Sequence, residues 1–423
     1  MIASESLKGV LFLEIGHLTW GKNSDVDSKA QGGALGTDGV NVKTRYMYVD
    51  WVIPQTEVQV RMGLQNFTLP NFVTGPAILG GGSADGAGIT ISGQFTENVG
   101  ATLFWLRAEN DNSDNWTQEE NYHYSDAMDF VGITVPMTFD GVKITPWAMY
   151  GSIGRDSFDG NVGQGANIRS GLLPMNWIVD KDETLLDDQA IDRHADAWWV
   201  GLGGELTMFD PFRVALEGAY GSVDMGSVKR DGTNYDIERS GWYVAALAEY
   251  KLDFMTPGIK FWYGSGDDSN STNGSEMLPT IQGSWNAGSY GYDNAYYNAK
   301  SCMFGTTPAG TMGVYAYLND ISFIEDLSHV LRVGFVKGTN NTTMVRHGLV
   351  SDPTKSETLY LTTADKAWEV NLDTTYNIYK DLALVVELGY INLDLDEATW
   401  SRAKVNEFRE NNFRGAVSMQ YSF

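Results

Sequence analysis

Residues 412–423 alternate strictly between apolar and polar. Phe413, Gly415, Val417, Met419, Tyr421 and Phe423 are apolar, aromatic or Gly, and Arg414, Ala416, Ser418, Gln420 and Ser422 are charged, polar or Ala. A period of two places the two sets on opposite faces of a strand. In 365–378, Trp368, Val370, Leu372, Thr374, Tyr376 and Ile378 oppose Glu369, Asn371, Asp373, Thr375 and Asn377. In 57–67, Val58, Val60, Met62 and Leu64 oppose Gln59, Arg61, Gly63 and Gln65. The pattern predicts strands at 7–20, 40–53, 57–67, 87–96, 100–108, 128–139, 142–151, 196–208, 212–222, 238–251, 258–265, 311–325, 329–338, 365–378, 381–394 and 412–423. Each has about the nine to eleven residues a tilted strand needs to cross a bilayer, or a few more.

The connections alternate in length. Short turns such as Pro54-Gln55-Thr56, Asp140-Gly141, Asp210-Pro211 and Lys380-Asp381 separate the long polar segments 21–39, 68–86, 109–127, 152–195, 223–237, 266–310, 339–364 and 395–411. A soluble sandwich has no reason for this regularity; a membrane barrel has short turns at one rim and long loops at the other. With about sixteen strands the interior is too wide for side chains to fill and becomes an aqueous channel. The apolar face must then look outward. The expected fold is all-β, one transmembrane antiparallel β-barrel over 1–423, with 152–195 and 266–310 as large external loops.

Ser4-Glu5-Ser6-Leu7-Lys8-Gly9-Val10-Leu11-Phe12 reads much like Thr96-Glu97-Asn98-Val99-Gly100-Ala101-Thr102-Leu103-Phe104. Both look like a turn entering a strand, so residues 1–4 are expected to be the tail of a preceding strand, and an absent amino-terminal pair would bring the count to eighteen. Residues 1–8 lack the apolar core of a signal segment. The numbering either describes a processed form or omits an amino-terminal part.

Composition narrows the function. No run of about 18 apolar residues is present, so no helix can span a membrane. The mean hydropathy of −0.24 is no objection, because alternating strands average out. With 47 Gly and 12% aromatics the chain suits an all-β protein with many turns. A net charge of −25 excludes a nucleic-acid binder. Cys302 is the single cysteine and the five His are scattered, so no intrachain disulfide, Cys-based zinc site or metal-catalytic motif is expected. Gly201-Leu202-Gly203-Gly204 lies within a strand and opens no helix, and Ser265 lacks an elbow motif and a nearby His. No enzyme and no cofactor are expected. Acidic segments 109–126 and 180–192 could hold Ca²⁺ or Mg²⁺ and bridge to anionic lipopolysaccharide; their spacing fits no loop motif, which favours the alternative of a solvated loop that repels aggregation.

Several stretches carry a family resemblance. Glu5-Ser6-Leu7-Lys8-Gly9-Val10-Leu11-Phe12-Leu13-Glu14-Ile15-Gly16, Gly36-Thr37-Asp38-Gly39-Val40-Asn41-Val42-Lys43, Val60-Arg61-Met62-Gly63-Leu64-Gln65-Asn66 and 97–105 resemble bacterial trimeric porins, in particular the outer-membrane homotrimeric porin family of sulfate-reducing bacteria. The match covers about the first quarter and the last strand, where Tyr421 and the terminal Phe423 resemble the assembly signal of outer-membrane barrels. The resemblance implies an outer-membrane homotrimer in contact with lipid and lipopolysaccharide, passing small hydrophilic solutes and ions by passive diffusion. By analogy with general porins, 68–86 is the expected pore-constricting loop, although Asp85 is its only charged residue.

Parity directs Lys43, Arg45 and Arg61 into the lumen, with Lys143, Arg213, Lys260, Arg332 and Arg414 as further cations. Glu205, Glu217, Glu249, Glu369, Asp373 and Glu387 are the inward acids. Fixed wall charges act on ions through the local field. Lys43, Arg45 and Arg61 are expected to face 68–86 across the eyelet; the alternative is that they are ordinary solvated lumen residues. Trp147, Trp199 and Trp262 also fall inward, which leaves open a substrate-specific channel for a sugar or an anion.

Overall fold

The computed structural model describes residues 2–16, 34–35, 41–82, 84–110, 127–154, 157, 165–175, 194–230, 232–292, 302–354, 357–408 and 410–423. They form one 18-stranded antiparallel sheet. Three-residue β1 (Ile2–Ser4) pairs with β2 (Leu7–Gly16), followed by β3 (Asn41–Val52), β4 (Gln59–Asn66), β5 (Asp85–Gln94) and β6 (Gly100–Glu109). Then come β7 (Met128–Thr134), β8 (Met137–Phe139), β9 (Val142–Gly154), β10 (His194–Leu206), β11 (Phe212–Arg230) and β12 (Thr233–Tyr250). The series ends with β13 (Thr256–Gly264), β14 (Thr311–Ile324), β15 (Leu327–Gly338), β16 (Lys366–Tyr379), β17 (Leu382–Asp394) and β18 (Asn411–Tyr421). β7 and β8 both pair with β9 and are one strand broken at Val135-Pro136, where proline has no N–H to give the ladder. Counting them together and setting aside β1, the eighteen strands make sixteen crossings.

The faces decide the solvent. On β16, Trp368, Val370 and Leu372 are 51%, 40% and 39% exposed, while Glu369, Asn371 and Asp373 are 0%, 0% and 8% exposed. Outward apolar and inward charged side chains are the inverse of a soluble barrel and fit a wall set in lipid. At the short-turn rim, Asp140-Gly141 closes the hairpin of β8 and β9; Gly141 has φ +67°, a conformation that favours Gly in tight hairpin turns.

Two of the long connections that turn inward span the interior, and their contacts across the chain show the sheet curling around them into a barrel. Segment 67–84 leaves β4 and reaches Glu217 on β11. Segment 265–310, which contains the expected external loop 266–310, instead runs inward over its described residues and reaches β16 and β18. Its Met277, Leu278, Ile281, Trp285, Tyr292 and Phe304 are at most 3% exposed and pack on inward Trp199, Trp262 and Tyr315. Burial of this apolar surface drives the infolding. In 152–195, β9 continues to Gly154, and helix α1 (Gly165–Leu172) leads into buried Leu172 and Leu173. Residues 158–164 and 176–193, like 111–126, lie outside the described residues, so the acidic segments proposed to hold Ca²⁺ or Mg²⁺ are mostly not described.

Segment 223–237, expected as a loop, extends the β11–β12 hairpin with Val223, Met225 and Ile237 buried inside. A register shift between Asp224 and Ser227 breaks the alternation there and hides the strand from a period-two search.

Candidate pore constriction

Segment 67–84 closes at its base where the Phe67 N–H donates to Ala84 O (2.9 Å) and Asn66 Nδ2 to Asp85 Oδ1 (3.0 Å). Its tip is held by the opposite wall. Glu217 Oε2 accepts the backbone N–H groups of Phe72 and Val73, and Arg213 Nη2 donates to Phe72 O (2.9 Å). The second infolded segment docks against it: Gly75 N–H donates to Asn286 Oδ1 (2.8 Å) and Ser284 N–H to Pro76 O (2.8 Å). A Cβ on Gly75 would stand 1.8 Å from Ser284 O, so only Gly allows this approach. The two segments thus form a continuous bridge from β4 and β5 to the far wall.

Beneath the bridge, toward the short-turn rim, lies a cavity of about 540 Å³. Four cations line it, Lys143, Arg213, Lys260 and Arg332, with two acids, Glu205 and Glu249. Glu205 accepts from Lys143 Nζ (2.7 Å) and Arg213 Nε (2.8 Å), and Glu249 from Arg213 Nη1 (2.9 Å). Arg332 pairs with Asp373. Lys260 Nζ lies 5.5 Å from the Tyr317 ring centroid, within cation–π range. Among the described residues, the bridge contributes Asn71, Phe72, Val73, Thr74 and Asn286 to the lining and no carboxylate. A basic wall therefore faces a neutral loop, and the lining cations outnumber the acids.

The residues expected to line the pore are distributed unevenly. Glu205 and Arg213 line this cavity. Arg45 braces the base of segment 67–84, bonding Glu14 (2.9 Å), Asp85 (2.8 Å) and Gly82 O, so the charge of Asp85 is already matched. Arg61 and Lys43 lie outside the cavity: Arg61 is paired with Asp50 (2.7 Å) across β3 and β4 and stacked on Tyr48, while exposed Lys43 stands opposite Glu14 in the β2–β3 register. The expectation that these three face 68–86 together across the eyelet is corrected: only Arg45 among them bonds that segment, at its base, and the tip points away from their wall toward β11. Glu369, Asp373 and Arg414 contact residues 289–291 of the second segment. Tyr421 and Phe423 are exposed, their ring centroids 6.2 Å apart. Trp147, Trp199 and Trp262 face inward and are buried. Ser265 Oγ donates to Glu276 O, a structural bond.

Lys143, Lys260, Arg332 and Glu249 belong to the main cluster although parity alone did not rank them. The signal that groups them is height: each stands within a few residues of a short turn on β9, β13, β15 or β12.

No protein-family model and no curated protein matches the chain. Among solved structures, the outer membrane protein OprD from Pseudomonas aeruginosa is similar over 90% of this chain and 79% of its own, with 12% identity and a TM-score of 0.47. Acinetobacter baumannii OccAB1 matches over 90% and 78% at 10% identity and a TM-score of 0.46. Pseudomonas aeruginosa OccK2 (OpdF) in complex with glucuronate matches over 91% and 83% at 11% identity and a TM-score of 0.46.

Proposed function

We propose that this chain is a bacterial outer-membrane channel through which small hydrophilic solutes and ions diffuse, with a constriction that favours anions. The observation that carries it is the cavity under the bridge, where four cations and two acids face an acid-free loop. In a low-dielectric wall that excess attracts anions and repels cations. The outward apolar belt supports a place in lipid, and sixteen crossings support a lumen that wall side chains alone do not fill. Planar-bilayer conductance of detergent-purified protein in a salt gradient tests it. The reversal potential should carry the sign of anion preference. Cation preference would sink the charge assignment, and a silent, folded barrel would sink the channel.

A second reading is a substrate-specific channel. It is favoured by Asn71, Asn286, Asn319 and Tyr317, which stand among the cations of that bounded cavity and could orient one solute. Saturable current block by a single solute selects this reading over general diffusion. The homotrimer implied by the porin resemblance belongs to the same proposal, as does contact with lipopolysaccharide. Conductance inserting in three equal sublevels supports the trimer, and solitary levels count against it.

A further inference from the structure

We propose that Glu369 positions Tyr290 at the margin of the water route and so sets the width of the pore, an inference that rests on the channel reading above. Inward residues Glu369, Asn371 and Asp373 of β16 form a row of acceptors at alternate positions. Residues 289–291 present a matching row of donors. Glu369 Oε1 accepts the N–H groups of Tyr290 (3.1 Å) and Gly291 (2.9 Å), Asn371 Oδ1 that of Ser289 (3.0 Å), and Asp373 Oδ1 the Ser289 hydroxyl (3.1 Å). Glu369 Oε2 accepts from Tyr315 Oη, which fixes the carboxylate from the β14 side.

The fit depends on the absence of side chains. A Cβ on Gly288 would lie 2.5 Å from Glu369 Oε1, and one on Gly389 would lie 2.8 Å from Tyr290 Cβ. The backbone can approach the carboxylate, and Tyr290 can lie on β17, only because these positions are Gly.

Within 287–292, Tyr290 alone keeps partial exposure; its neighbours on both sides are buried. Its ring centroid lies 5.7 Å from the Arg414 guanidinium on β18. Beyond Arg414, the inward Ala416, Ser418 and Gln420 of β18 remain partly exposed. Tyr290 therefore marks the boundary between lumen filled by the infolded segment and lumen left to water.

Single-channel conductance tests the assignment. Tyr290→Ala should raise conductance about 1.5- to 2-fold by widening the route. Glu369→Ala orphans two amides and a phenol, so the segment should leave the wall, with higher conductance and added current noise. Glu369→Gln should rescue much of this loss, because its carbonyl can accept both amides and its NH₂ can donate to Tyr315 Oη. Gly288→Ala should reproduce the Glu369→Ala phenotype without altering the wall. Heat-modifiable mobility reports barrel integrity, and if Glu369→Ala fails to fold, the Gly288 and Tyr290 variants decide. A conducting wild type with unchanged conductance in the folded variants overturns this inference alone. A silent wild type overturns the channel reading and this inference with it.

Discussion

The inner faces of β16 and β18 border the same lumen and are used in opposite ways. On β16, Glu369 and Asn371 are fully buried, bonded to backbone that arrives from about eighty residues away in the chain. On β18, every inward residue from Asn412 to Gln420 keeps part of its surface. The early strands resemble β18: Arg45 and Glu14 are 27% and 28% exposed as they pair. On the wet wall, charges are matched chiefly by other wall charges, as Arg61 is by Asp50, with single carbonyls of the infolded segments added at Arg45 and Arg414. On the covered wall, they are matched by the amides and carbonyls of infolded segments, so they act as a socket. The same residue types thus tune a field on one side and hold architecture on the other, and mutations should separate the two roles.

The largest difference is expected at Arg239. It is 1% exposed, pairs with Glu357 (2.6 Å), and donates to Ser170 O (2.7 Å) and Leu278 O (2.9 Å), tying three connections to β12. Arg239→Ala leaves buried Glu357 without its ion-pair partner and should weaken docking of the covered half by about 3–5 kcal/mol. The matching change on the wet wall, Glu14→Ala, should cost about 0–1 kcal/mol. Hydrogen exchange in 275–285, followed in detergent, measures the difference. Equal protection in the two variants would erase the contrast.

Next in size is ion preference. Lys260→Glu converts the cavity lining from four cations and two acids to three of each. The anion-to-cation permeability ratio should fall about threefold, since the local field loses its sign. Arg61→Glu, set on the wet wall outside the cavity, should move the ratio much less. A larger shift from Arg61 would place the selective constriction on the other side of the lumen.

The sequence disclosed the wall far better than its contents. Strict alternation in 365–378 anticipated β16 and the facing of its side chains from Trp368 to Asp373, because period two is a local property. Segment 265–310 carries no such period. Its Trp285, Tyr292 and Phe304 are spaced irregularly among Gly and Ser, and what buries them is Trp262 and other residues of a distant wall. Parity also placed Arg61 and Arg213 alike on the inner face. It could not say that Asp50 stands opposite Arg61 in register while Arg213 meets the tip of segment 67–84. Height above the short turns would have grouped Lys143, Arg213, Lys260 and Arg332; nothing local revealed that a bridge crosses the lumen above them.

The smallest effect is a pH dependence confined to the covered half. Asp267, 2% exposed just beyond β13, accepts from Tyr360 Oη (2.7 Å) and Ser275 Oγ. Burial pushes its carboxyl above the ordinary value near 3.8, more than these bonds and the positive charge of Arg239 pull it down. Half-buried Glu276 is raised as well, chiefly by burial. A raised value in the docked state means that the docked segment binds more protons than the released one. Its stability is therefore greatest below the ordinary carboxylate range and declines as pH rises through the raised value. Hydrogen-exchange protection of 267–285 should be higher at acid than at neutral pH, with β18 showing no such trend. Asp267→Asn should flatten much of the dependence, because the amide cannot ionise; protection that instead grows with pH would show that Asp267 is held as a stabilised carboxylate and that the covered wall does not penalise charge there.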